Sequence, residues 1–385
     1  MSRISVSAVR EILKVTERPD IISFAGGLPA PELFPVEAFA EAHARVFAEA
    51  GAAAMQYSTT EGWRPLREWI ADRMLKRGIA ANSDNVLVTS GSQQGIDLVA
   101  KIFIEKGDVV IVENPCYLAA LQAFGAYEAS FIAVESDDDG MRVDQVEEAL
   151  ESNNAKLIYI VSDFHNPKGT TLSRERRERL IEVSRRFQVP IVEDDPYSET
   201  RFTGEMPSPL ASLDEDGLVI YLSTFSKTLS PGMRVGWAIA STEIMRALVV
   251  AKQASDLHTS TVEQRAAARL LEDFDYDGHI SKIRRVYGER CQMMLAAIKD
   301  HFPAGSATTQ PEGGLFIWAE LPDQIVGQKL LEESLSRKVA FVPGAPFFAA
   351  DPKHNFIRMN FSNSQPEVIF DGIRRISDAM RGMIE

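Results

Sequence analysis

Cysteine is scarce in this chain: there are two in 385 residues, Cys116 and Cys291, far apart and in neither a metal-binding nor a redox spacing. That pattern argues against a disulfide-stapled scaffold and fits a reducing compartment. Histidine is scarce too, and the six present form no H-x-x-x-H pair and no Cys/His group, which argues against a zinc site. An excess of basic charge is missing altogether, because 55 acidic residues outnumber 41 basic ones for a formal net charge of -14. Nucleic acid and an anionic membrane are therefore poor partners, and an anionic ligand needs a local pocket to hold it. No apolar run approaches the length of a membrane span. The first twenty residues, MSRISVSAVREILKVTERPD, lack the apolar core of a signal peptide. They carry Ile4, Val9, Ile12 and Leu13 at an amphipathic spacing that predicts a short N-terminal helix. Cytoplasmic residence is the expectation.

What is abundant is alternation. Between about residues 85 and 240, seven runs rich in Val and Ile (NVLVTS, VVIVEN, SFIAVE, KLIYIVS, VPIVEDD, LVIYLSTF and RVGWAIA) alternate with segments of helical spacing. The chain is long enough for two domains. The alternation predicts an α/β fold: a large domain with a mostly parallel seven-stranded sheet covered by helices. After about residue 275 a long helical stretch, two short strand candidates (GLFIWAEL and NFIRMNFS) and a final helix predict a smaller α+β domain. The expected boundaries are 1–35 for an N-terminal helix and arm, 36–275 for the large domain and 276–385 for the small one, which packs with the arm. The run Asp137-Asp138-Asp139-Gly140 lacks the ligand spacing of a calcium loop and reads as a solvated turn.

In parallel sheets ligands gather at the carboxyl ends of the strands, and the unusual residues lie there. SGSQQG (Ser90 to Gly95) opens a helix with a small turn that suits a phosphate, or is simply a helix start capped by Ser90 or Ser92. DFHNPKGT fixes Asn166 before a proline, as a directed amide or as a plain Asn-Pro turn. EDDPY crowds three carboxylates at a strand end, which calls for a cationic partner and lets Asp194 and Tyr197 converge on one ligand, or caps the next segment. YLSTFSKTLSPGMRVGW places Lys227 among Thr224, Ser226 and Thr228, with Arg234 seven residues on. A lysine withdrawn from water is nucleophilic near neutral pH and forms Schiff bases with carbonyls, whereas a surface lysine in a loop does neither. Taken together, these ends supply an amine for an aldehyde, donors for a phosphate, an anion for a pyridine nitrogen and hydrogen bonds for a ring oxygen. Those are the needs of pyridoxal 5'-phosphate.

SFAGGLPAPELFP, QYSTTEGWRPLRE, FSKTLSPGMRVGW and FIRMNF occur here in one order along nearly the whole chain. In these motifs the chain resembles the class I/II aminotransferases of fold type I, and is most similar to their 2-aminoadipate and kynurenine/aminoadipate branch. The resemblance implies a PLP-dependent transferase fold and a homodimer with shared sites, acting on amino acid and 2-oxo acid substrates.

Residue by residue, the resemblance makes Lys227 the Schiff-base lysine and the proton carrier. It makes Asp194 the partner of the pyridine nitrogen, and Asn166 and Tyr197 the contacts of the 3'-oxygen. Gly91, Ser92 and Gln93, with Thr224, Ser226 and Arg234, would hold the phosphate, and Tyr117 would stack on the ring. Arg358 would clamp the substrate α-carboxylate beside Gly27, with Asn166 close by, and Tyr57 would reach the neighbouring subunit's phosphate. Arg10 would meet a distal carboxylate, or sits on the polar face of its helix. Lys168 departs from the family's usual small residue in NPTG-like turns and is a rival amine. The role of His165 is open. The activity implied is ping-pong transamination, with glutamate and 2-oxoglutarate as one pair. A β-lyase or decarboxylase on the same scaffold is the alternative, and a MocR-like effector-sensing domain the remote one.

Overall fold

The computed structural model describes residues 18–384. The N-terminal helix expected around Ile4 to Leu13 lies outside the described residues. The seven apolar runs all form strands: β1 (Val86–Thr89), β2 (Val109–Asn114), β3 (Ser130–Asp137), β4 (Ala155–Ile160), β5 (Ile191–Asp194), β6 (Val219–Thr224) and β7 (Gly236–Ile239). They form one sheet in the order β1-β7-β6-β5-β4-β2-β3, and a two-residue strand, Gly140–Met141, hairpins onto the end of β3. The pairs from β6 through β5, β4 and β2 to β3 are parallel, and β7 runs against both of its neighbours. Strands β1, β5, β6 and β7 are buried at every residue. That is why they read as continuous apolar runs rather than as alternating ones.

Helices α1 (Ser92–Phe103), α2 (Leu118–Ala126), α3 (Val143–Ser152) and α4 (Arg174–Phe187) follow strands β1 to β4. The start of α4 has a serine cap: the Ser173 hydroxyl accepts from the Arg176 N–H. The start of α1 does not, which removes the plain serine-cap alternative for SGSQQG. Gly91 occupies the cap position, and Ser90 instead donates to Asp256.

The C-terminal part carries an antiparallel sheet. Strands β8 (Phe316–Glu320) and β9 (Phe356–Asn360) pair over their whole length, flanked by Ala307–Thr308 and Val342–Pro343. Long helices Tyr276–His301 and Pro366–Ile384 pack on each other. Segment Ile22–Ser23 adds in parallel to Val339–Ala340, and the Asn360 N–H donates to the Phe24 carbonyl. One apolar core runs from Leu222 in the large sheet to Ile373 in the last helix.

Candidate active site

Strand register assembles the site. Gly236 in β7 pairs with Thr89 of β1 on one side and with Thr224 of β6 on the other. The turn after β1 and the turn after β6 are thereby set side by side. A side chain at Gly236 would put its Cβ 2.7 Å from the Gly91 carbonyl carbon and 2.7 Å from the Ser92 nitrogen. Gly91 itself has φ 80° and ψ 164°, a region that only glycine occupies readily. A Cβ there would lie 2.6 Å from an Arg234 guanidinium nitrogen. Two glycines thus let the first turn of α1, with its free N–H groups, close on Arg234.

A cavity of about 160 Å³ opens at this edge. Gly91, Ser92, Gln93, Tyr117, Asn166, Asp194, Tyr197, Thr224, Ser226, Lys227 and Arg234 all line it. Every cofactor-binding candidate named from the sequence except Tyr57 is therefore in one place. At one end Thr224 Oγ1 and Ser226 Oγ stand 2.9 Å apart, and the Ser226 N–H donates to Thr224 Oγ1. Arg234 donates to the Ser90 carbonyl at 3.2 Å, so its guanidinium spans from the β6 turn to the start of α1.

At the other end lies Asp194, fully buried. Its Oδ2 accepts from the Tyr159 hydroxyl at 2.8 Å, while Oδ1 has no partner. Burial, opposed by the Tyr159 hydrogen bond and aided by the Asp195 charge, raises the Asp194 carboxyl to about 7. An unpartnered buried carboxylate oxygen costs free energy until a cation or donor arrives. A protonated ring nitrogen is such a donor.

Between the two ends Lys227 ends a single helical turn, Phe225–Lys227, that follows β6. Its amine donates to the Gly27 carbonyl at 2.7 Å. Burial, helped by the positive charges of Arg358 and Arg234, lowers its pKa to about 8. On the flank, β9 presents Arg358, which donates to Asn166 Oδ1 at 2.8 Å and to the Ala25 carbonyl at 2.6 Å. Its guanidinium lies over the rings of Phe316 and Phe347 at 4.2 and 5.0 Å, and burial lowers its pKa to about 10. Gly27 lies close by, where a Cβ would come within 3.1 Å of Phe316. Tyr197 and Tyr117 are both held neutral, chiefly by burial, which pushes Tyr117 up to about 12.

Other candidates fall elsewhere. Lys168 turns away from the cavity, and its amine donates to the Ser136 carbonyl, the Ser136 hydroxyl and the Asp137 carbonyl. His165 is buried with Nε2 3.2 Å from Glu113, and burial pushes the two apart, His165 down to about 3 and Glu113 up to about 8. Tyr57 is 77% exposed and meets His258 edge-on at 5.8 Å. Arg10 lies outside the described residues. Tyr159 escaped the sequence reading. Its signal was there in AKLIYI, where one tyrosine interrupts aliphatic residues in a buried strand and its hydroxyl needs a partner.

The donor set fits pyridoxal 5'-phosphate, with one amine, one free carboxylate oxygen and a hydroxyl–arginine cluster in a shared cavity. Sheet and site together define a PLP-dependent transferase of fold type I. Comparison with known proteins agrees. The family model "Aminotransferase class I and II" matches residues 19–376, and the chain belongs to that family. Aromatic-amino-acid aminotransferase 1 of Thermococcus litoralis is 44% identical over 381 residues, spanning 97% of this chain and 91% of that protein. The crystal structure of Pyrococcus horikoshii kynurenine aminotransferase, in complex with PMP, superposes with a TM-score of 0.94 at 41% identity, covering 99% of this chain and 96% of that one. The α-aminoadipate aminotransferase LysN of Thermus thermophilus, complexed with N-(5'-phosphopyridoxyl)-L-leucine, gives 0.94 at 39% identity, with the same 99% and 96% coverage. The chain is an aminotransferase and its cofactor is pyridoxal 5'-phosphate. Among the described residues no group of side chains is arranged to hold a metal ion, and no helix is long and apolar enough to cross a membrane.

The lowered pKa of Lys227 has a kinetic consequence. Only the neutral amine attacks an aldehyde. The rate at which cofactor-free enzyme captures pyridoxal 5'-phosphate should therefore rise with pH and level off above about 8. Stopped-flow absorbance checks this, and a rate still climbing through the ordinary lysine range near about 10.4 would contradict it.

Proposed function

We propose that this aminotransferase works by a ping-pong cycle, with glutamate and 2-oxoglutarate as one pair and 2-aminoadipate, aromatic or branched amino acids as the other. One observation carries the reading. The amine of Lys227 sits in a single cavity with the Thr224–Ser226–Arg234 cluster and the unpartnered Oδ1 of Asp194. Bound there, the cofactor supplies an electron sink for the charge left on the substrate α-carbon once its proton is removed. Arg234, Thr224, Ser226 and the turn Gly91–Gln93 hold the phosphate. Asp194 keeps the ring nitrogen protonated, Asn166 and Tyr197 hydrogen-bond the 3'-oxygen, and Tyr117 covers a ring face.

Lys227 anchors the aldehyde between turnovers. During each half-reaction its amine takes the α-proton and returns it one position along. Arg358 grips the α-carboxylate through its two terminal guanidinium nitrogens, with the Gly27 backbone alongside. Asn166 can serve both, since its Oδ1 accepts from Arg358 and its Nδ2 amide group remains a donor for the 3'-oxygen.

The named activities of the relatives, on aromatic, α-aminoadipate and kynurenine substrates, support a broad second pair. Arg10 is proposed to meet a distal carboxylate. The test is a half-reaction screen on wild type and Arg10→Ala. Glutamate should bleach the visible band of the holoenzyme and release 2-oxoglutarate. Arg10→Ala should lower kcat/KM about tenfold for dicarboxylic donors and leave phenylalanine and leucine unaffected. An enzyme whose spectrum no amino acid changes would sink the proposal.

A homodimer is proposed as well. Tyr57 is exposed near other exposed apolar residues, Met55 at 74% and Leu257 at 49%, as expected of a surface that a second copy covers. Two buried, unpaired cysteines are compatible with the proposed cytoplasmic location. The proposed division of the chain stays at 1–35, 36–275 and 276–385.

A further inference from the structure

We infer that Tyr159 is a positioning residue, holding Asp194 ionised with Oδ1 free for the cofactor and so setting how far the pH can fall before the cofactor is lost. The inference rests on the reading of Asp194 as the partner of the ring nitrogen. Tyr159 lies in β4 opposite Val192 of β5, two residues short of Asp194. Its side chain is buried, and Phe124 of α2 packs edge-on against its ring at 5.7 Å. A phenylalanine would fill that space equally well, so the packing does not account for the hydroxyl. What the hydroxyl does is donate to Asp194 Oδ2 at 2.8 Å. That leaves Oδ1 as the one unpartnered oxygen, on a carboxylate that lines the cavity.

The other ionisable groups around Asp194 give it no such help. Tyr117 and Cys116 face it from the connection between β2 and α2, and Tyr197 from the turn after β5. Burial raises the pKa of all three, so each stays neutral near pH 7. Asp195, the chain neighbour, is held ionised by Arg77, Ser198 and Tyr221, and its charge disfavours a second charge on Asp194. Tyr159 alone among these groups favours the ionised form. Burial and the Asp194 charge hold its own phenol well above the ordinary range, so it remains a donor throughout the working pH range. When pH falls and Asp194 gains a proton, the ring nitrogen loses its anion and the cofactor its anchor at that end.

The experiment follows release of pyridoxal 5'-phosphate from holoenzyme as a function of pH, with the thermal midpoint measured alongside. Tyr159→Phe should move the acid midpoint of retention up by about 1 pH unit, the size expected for losing one hydrogen bond to a charged group. Asp194→Asn should remove that midpoint, and adding Tyr159→Phe to it should change nothing more. An unshifted midpoint in Tyr159→Phe, with Asp194→Asn still effective, overturns the role of Tyr159 and leaves the proposed function standing. A midpoint that survives in Asp194→Asn overturns the reading of Asp194 and this inference with it. Should Tyr159→Phe fail to fold, 3-fluorotyrosine at position 159, a stronger donor of nearly the same shape, should shift the midpoint downward. No shift with that residue also overturns the inference.

Discussion

Replacing Lys227 with alanine should abolish covalent attachment of the cofactor and lower turnover by at least about 10⁴-fold, the upper range for losing a positioned proton carrier. Borohydride reduction followed by peptide mass analysis should label Lys227 in the wild type and no residue in the variant. Among the described residues Lys227 is the one lysine that lines the cavity. Lys168 would have to give up three acceptors to replace it. The fold should tolerate the change, because the lost side chain is a partly desolvated cation whose one hydrogen bond is to the Gly27 carbonyl. Cofactor should still bind without a covalent bond, since Arg234, Thr224 and Ser226 are untouched. Label on Lys168, or turnover within about tenfold of wild type, would show that the wrong amine has been chosen.

Arg358→Ala should lower kcat/KM for amino acids by about 10²- to 10³-fold, the cost of truncating one partner of a buried, hydrogen-bonded charge pair. Cofactor retention should stay as in the wild type. The guanidinium is already packed over Phe316 and Phe347 and aimed by Asn166 and Ala25, so little order remains to be imposed when a carboxylate arrives. Arg358→Lys should recover only part of the loss, because a point charge cannot reproduce the two-pronged contact. Steady-state kinetics with an amino acid and with the matching amine, which has no α-carboxylate, provides the check. An equal loss for both would show that Arg358 acts through the fold and not through the carboxylate.

The large sheet and the contents of the cavity were legible in the sequence for one reason. Strands buried on both faces appear as unbroken apolar runs, so each run ended at a visible place, and the residues after β1, β4, β5 and β6 could be read as neighbours before any register was known. What could not be read was pairing at right angles to the chain. Tyr159 and Asp194 are 35 residues apart and meet only because β4 and β5 are adjacent. The Gly91 cap was hidden by two serines that are better caps on propensity, and tertiary packing overrode that preference because Arg234 occupies the space a side chain would need. Lys168 looked like a rival because its distance along the chain from Asn166 is small. Its side chain departs from the cavity toward carbonyls at the end of β3, which local sequence does not encode.

The short segment 22–27 behaves as a latch. It is stitched to the C-terminal half through Val339–Ala340 and Asn360, yet its Gly27 carbonyl is fastened to Lys227 at the edge of the large sheet. Arg358, borne by the C-terminal sheet, is fastened to Asn166 on that same edge. Each of these two contacts is made by a cation to which the proposed function gives a further task. On that proposal an aldehyde that draws Lys227 away would undo the first, and a carboxylate that draws Arg358 away would undo the second. Two polar contacts at the edge of the cavity would thus depend on what the cavity holds.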